Sequence, residues 1–99
     1  MSDTAPDQVD LLHDEAGDRY VLRSSGETVG LVTYHRDGDV LDLVHSEVLP
    51  QGRGRGLGTV LVREVLDAIR TDGRRIIPSC PFVAKFVDEH ADYADLVAD

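Results

Sequence analysis

Gln51-Gly52-Arg53-Gly54-Arg55-Gly56-Leu57-Gly58-Thr59 runs directly into a stretch whose apolar residues, Leu57, Leu61, Val62, Val65, Leu66 and Ile69, recur three and four apart. That spacing puts all six on one face of an amphipathic helix. A helix start offers N–H groups without intrahelical partners at the positive end of the helix dipole, so an anion belongs there. Alternating glycines let the backbone approach a phosphate closely, and Arg53 and Arg55 add charge that could screen a diphosphate. No register of the loop spells G-x-G-x-x-G, because the third glycine would fall on Leu57 or Thr59, and no Lys-Ser/Thr pair follows. A dinucleotide fold, ATP and GTP are therefore disfavoured.

Working outward, three runs rich in β-branched and aromatic residues, Val9 to His13, Arg19 to Ser24 and Glu27 to His35, are broken by Gly17-Asp18 and Ser25-Gly26. They predict a meander of antiparallel strands. Asp37-Gly38-Asp39 is a hairpin-type turn into a fourth run, Val40 to Val48, in which the period of two puts Leu41, Leu43, His45 and Glu47 on one face. Pro50 stops that strand. Beyond the helix Gly73 supplies a stop, Arg75 to Pro78 forms a short fifth strand, and the unit is β-loop-α-β with its two strands parallel. Pro81 begins a second helix, and Tyr93 to Val97 is a short amphipathic tail. Residues 1–8, small or polar, read as a disordered lead, and residues 9–99 as a single domain.

With 99 residues, 41% of them hydrophobic, the chain has material for one core. A single cysteine, Cys80, excludes an internal disulfide, and no Cys/His spacing suggests a metal site. A formal net charge of −9 disfavours nucleic acid, whose binding rests on neutralising phosphates, and favours cationic partners. No stretch approaches the roughly 20 apolar residues of a membrane span, and Met1 to Asp10 lacks the regions of a signal peptide. The expected location is cytoplasmic.

The loop, read as Gln51-Gly52-Arg53-Gly54-Arg55-Gly56 or as Arg53-Gly54-Arg55-Gly56-Leu57-Gly58, resembles the Gln/Arg-x-x-Gly-x-Gly/Ala coenzyme A signature of the GNAT N-acetyltransferases. Three further segments resemble the compact, stand-alone branch of that superfamily: His45-Ser46-Glu47-Val48, Pro78-Ser79-Cys80-Pro81-Phe82-Val83 and His90-Ala91-Asp92-Tyr93-Ala94-Asp95-Leu96. They are similar to His-Thr-Glu-Val, Pro-x-Cys-x-Phe and His-Pro-x-Tyr-x-x-Leu, with Ser46 standing for Thr and Ala91 for Pro.

The resemblance implies an α/β minimal GNAT fold: a mixed sheet with an antiparallel N-terminal meander and a β-loop-α-β unit that binds acyl-CoA. It implies acetyl-CoA as cofactor, held by Gln51 to Thr59, and strands four and five splayed so that a backbone N–H near Val48 or Leu49 meets the thioester carbonyl. Acetyl transfer needs a deprotonated amine, donors for the developing oxyanion and a proton for the departing thiolate. His45 is the preferred base, a side chain suited to proton exchange near neutral pH, with Glu47 beside it. The resemblance sets Cys80 across the cleft from His45, as acid or as nucleophile; composition alone favours a small buried hydrophobe there. The acceptor is an amine, and an open site suits a protein or peptide. A non-catalytic acyl-CoA sensor, or an interaction domain without ligand, are the alternatives.

Overall fold

The computed structural model describes residues 9–98; the expected disordered lead lies outside the described residues. Strands β1 (Val9–Asp14), β2 (Arg19–Ser24), β3 (Glu27–Asp37) and β4 (Val40–Val48) form an antiparallel meander. After helix α1 (Leu57–Thr71), β5 (Arg75–Ile77) joins β4 in parallel, giving the sheet order β1-β2-β3-β4-β5. Helix α2 (Pro81–Glu89) and a 3-10 helix (Ala91–Leu96) complete the domain. Among the described residues no helix is long and apolar enough to cross a membrane.

The six apolar residues that predict α1 are the six it buries. They pack on Tyr20, Leu22, Val32, Tyr34, Leu41 and Leu43 of the sheet and on Val83 and Phe86 of α2, in a single core on one side of the sheet. Gly73 (φ 72°) ends the helix: its N–H donates to the Arg70 carbonyl and that of Arg74 to Ile69, the paired bonds of a Schellman stop. The tail bridges the outer edge of β5 at its centre, Ala98 N–H donating to the Ile76 carbonyl at 2.8 Å, which shortens the exposed ladder on that side.

One expectation fails. Thr33 pairs with His45 but Tyr34 pairs with Leu43, so Val44 is an extra residue in β4, a bulge that reverses the facing of everything after it. Leu41 and Leu43 point into the core, yet it is Ser46 and Val48, opposite Val32 and Gly30, that continue on that side. His45 and Glu47 turn to the opposite face, both exposed.

His13, to which the sequence assigns no chemistry, stacks on Tyr20 at 4.1 Å and hydrogen-bonds the Tyr34 hydroxyl at 2.6 Å. Among the described residues the buried Tyr20 hydroxyl has no partner, and burial pushes its pKa from 10.0 up to about 12. Removing an orphaned buried hydroxyl is close to neutral or favourable, so Tyr20→Phe is expected to leave the melting temperature unchanged or raise it. The unfolded chain ionises this tyrosine first, so stability is full below pH 10.0 and falls as the pH rises toward about 12. Denaturant titrations across that range should show a shallower alkaline loss in Tyr20→Phe.

Candidate active site

The site begins where β5 leaves β4. Pairing covers only Val40 to Asp42 against Arg75 to Ile77. Pro78 then has no N–H to offer. Ser79 N–H turns back to the Ile77 carbonyl at 3.0 Å, Cys80 N–H takes the Leu43 carbonyl at 2.8 Å, and Pro81 starts α2. Beyond this point the outer edge of β4 faces a gap.

Which N–H groups enter the gap follows from antiparallel alternation. Leu49 N–H donates to the Val29 carbonyl at 2.8 Å, so the neighbouring pair Val48 and Gly30 is a non-hydrogen-bonded one, and both backbone groups of Val48 point away from β3. The Val48 carbonyl accordingly accepts from Arg53 Nε at 3.3 Å. Of the two N–H groups expected at the carbonyl site, that of Leu49 is engaged and that of Val48 is turned into the gap. Ser46, two residues earlier, has the same orientation.

Cys80 closes the near end of the gap. It is 6% exposed, with Sγ 3.2 Å from Ser46 Oγ. Burial pushes the thiol up, while hydrogen bonds from the Ser46 hydroxyl and from the N–H groups of Val83, Phe82 and Ser46 pull it down. The balance leaves it below its ordinary value of 9.0. On the other side of β4, His45 Nε2 lies 3.4 Å from Glu47 Oε1, with side chains 58% and 44% exposed. The bulge thus sorts the chemistry into two pairs, Ser46 with Cys80 on the helix side and His45 with Glu47 on the bare side. Ser46 carries no assignment in the sequence reading; the signal for it is the run of ionisable residues at what would otherwise be inward positions after Leu43.

At the far end of the gap a cavity of about 230 Å³ is lined by Ser46, Glu47, Val48, Gly58, Leu61 and Phe82. A Cβ on Gly58 would come within 3.1 Å of Phe82 Cζ, so the glycine lets the Phe82 ring lie close against the helix start. A second cavity of about 190 Å³, lined by Thr59, Lys85, Phe86, Glu89 and His90, shares Phe82 as its wall.

The loop reaches the cavity through a 3-10 turn, Pro50–Gly52. Gln51 Nε2 donates to the Thr28 carbonyl at 2.7 Å, so Gln51 and Arg53 both brace the loop against the sheet, while Arg55 is exposed. Gly54 (φ 83°) and Gly56 (φ 69°) adopt the left-handed conformation. Gly56 is the N-cap of α1, with no side-chain cap and no acidic residue in the first turn. The N–H groups of Gly56, Leu57, Gly58 and Thr59 therefore lack helical partners. An anion with an apolar arm fits this arrangement: free donors and Arg55 at the loop, apolar walls at Val48, Leu61 and Phe82, and a further donor at Val48.

Residues 19–96 match the family model described as GCN5-related N-acetyl-transferase. A GCN5-like protein from Staphylococcus aureus, solved by NMR, superposes with a TM-score of 0.65 at 21% identity, covering 90% of this chain and 87% of that one; at this identity the likeness shows the fold. Nourseothricin acetyltransferase superposes with a TM-score of 0.44 at 21% identity over 76% of this chain and 47% of its own, too slight a likeness to argue from. No curated protein matches the chain.

Two outcomes follow from the geometry. Ser46→Ala removes a donor to Cys80 Sγ and should raise the thiol pKa, read from thiolate absorbance against pH. Because the folded thiol ionises before the unfolded one, the stability it contributes is present above the unfolded value and is lost as the pH falls through the folded one. Gly52→Ala would put a Cβ 2.9 Å from Val29 Cβ and 3.0 Å from the Val29 carbonyl oxygen, an overpacking expected to cost about 1–3 kcal/mol in denaturant unfolding.

Proposed function

The chain belongs to the GCN5-related N-acetyltransferase family, and on that premise we propose that it transfers an acetyl group from acetyl-CoA to an amine. The observation that carries this reading is the Val48 N–H turned into the gap, beside a helix start that has neither side-chain cap nor acidic residue. The N–H groups of Gly56 to Thr59, with Arg55, would hold the pyrophosphate, while Val48, Gly58, Leu61 and Phe82 would enclose the pantetheine arm. When bound, acetyl-CoA supplies the acetyl group activated as a thioester.

The chain's own groups supply the rest. The Val48 N–H is a fixed donor for charge developing on the carbonyl oxygen, the kind of preorganised contact that contributes most to acyl transfer. His45 accepts the proton from the incoming ammonium, with the Glu47 carboxylate 3.4 Å away to stabilise the imidazolium. Cys80, its thiol lowered by surrounding donors, delivers a proton to the departing sulfur. The same donors favour its thiolate, and that observation keeps a second role in view, in which Sγ takes the acetyl group before passing it on.

Titration calorimetry of acetyl-CoA, coenzyme A and ATP tests the binding half. Both CoA species should bind and ATP should not. Gly56→Asp should abolish binding at a modest cost in melting temperature, because Asp is among the residues that visit the left-handed conformation but sets a carboxylate where phosphate would lie. With an accepted amine, His45→Ala should lower kcat on the order of 10²–10⁴-fold with the acetyl-CoA Kd unchanged. Cys80→Ala should do likewise, and an acetyl adduct on Cys80 in intact mass would select the second role. Turnover untouched by either substitution would leave a binding or sensing module.

A further inference from the structure

Helices α1 and α2 and the C-terminal 3-10 helix build one core on one side of the sheet, and among the described residues no helix crosses the other side. On that bare face the cross-strand register aligns Leu12, Val21, Leu31 and Glu47 in one lateral row over β1 to β4. Leu12 is 45% exposed, and Val21 and Leu31 are half-buried. The row is framed by two cross-strand ion pairs, Asp10 with Arg23 at 2.6 Å and Asp14 with Arg19 at 2.9 Å. It ends on Glu47, which also lines the cavity at the gap. From β1 outward the surface is therefore apolar for three strands, acidic at the fourth, and open to the gap beyond.

We infer that this row is the acceptor's track, and that the acceptor is a primary amine carried at the end of an apolar extended segment, in chemical terms a peptide and not a polyamine. The inference rests on the acetyl-transfer reading of the gap. Strands lie about 4.8 Å apart, so the three steps from Leu12 to Glu47 span roughly 14 Å, about four extended residues. The carboxylates of Asp10 and Asp14 are each held by an arginine, so a polyamine lying along the row meets the Glu47 carboxylate with one ammonium and must strip water from the others over leucine and valine. A peptide with apolar side chains gains there by removing apolar surface from water, while Glu47 and the net charge of −9 draw its ammonium to the end of the row. The row lies across the middle of a paired sheet, so side chains and not added strand pairing select the partner.

The test uses the full chain, methyl-labelled and saturated with coenzyme A so that no turnover occurs. Three probes are titrated: a pentapeptide with a free N-terminus and alternating Leu and Val, the same peptide with Ser and Gln in their place, and spermidine. The apolar peptide should shift the methyl signals of Leu12, Val21 and Leu31 and bind on the order of tenfold more tightly than the polar one. Val21→Thr and Leu31→Thr, both acceptable on a strand face, should erase that preference without altering the Kd for coenzyme A. Equal or tighter binding of spermidine or of the polar peptide overturns the inference, as do unmoved methyl signals. So do signals that move with protein concentration alone, since a second copy would then cover the face. Coenzyme A binding with a silent track defeats this inference only; failure of coenzyme A to bind defeats the acetyl-transfer reading and the track with it.

Discussion

Strand β5 accompanies β4 for three residue pairs and then departs, and the site exists because of that departure. Pro78 cannot extend the ladder, Cys80 spends its N–H on the Leu43 carbonyl, and Pro81 commits the chain to α2. The remaining length of β4 keeps its pairing with β3 on one edge and, among the described residues, has no strand beside it on the other. Buried backbone donors without partners are costly, so an exposed N–H at Val48 is tolerable only at a gap open to water or to a ligand carbonyl. The same departure drops the Cys80 thiol beside Ser46 and brings Phe82 against Gly58, so three walls of the cleft descend from one interruption in a parallel pair.

A second constraint divides the chemistry. The extra residue at Val44 flips the strand, and groups that simple alternation would put together are sent to opposite faces. Ser46 and Cys80 sit on the sheltered side, where donors bias the thiol toward its thiolate. His45 and Glu47 sit on the open side, both largely exposed to solvent. The edge of β4 thus lies between a Ser46–Cys80 pair on the helix side and a His45–Glu47 pair on the bare side.

Local physics made most of this architecture readable in advance. The α1 face, the turn at Gly38, the helix stop at Gly73 and the start of α2 at Pro81 depend on residues close in sequence, and each lies where its chemistry directs. The position of the glycine loop at the start of α1 was legible for the same reason. The facing of His45 and Glu47 was not, because a bulge is a property of two strands: whether Val44 pairs or is skipped depends on its register against β3. Nor could the residue order tell Val48 from Leu49 as the outward donor, which follows from the pairing phase set by the Val29 carbonyl. Ser46 became visible as a partner of Cys80 only with the bulge, which turns its side chain to the helix side.

The backbone amide signals of Val48 and Leu49, followed by ¹⁵N correlation spectra as acetyl-CoA is added, probe the gap most directly. A large downfield movement of the Val48 amide is expected, accompanied by Gly56 to Thr59, while the Leu49 amide, bonded to Val29, stays nearly fixed. Movement of Leu49 with Val48 unmoved, or saturation by acetyl-CoA with neither the loop nor Val48 responding, would contradict that expectation.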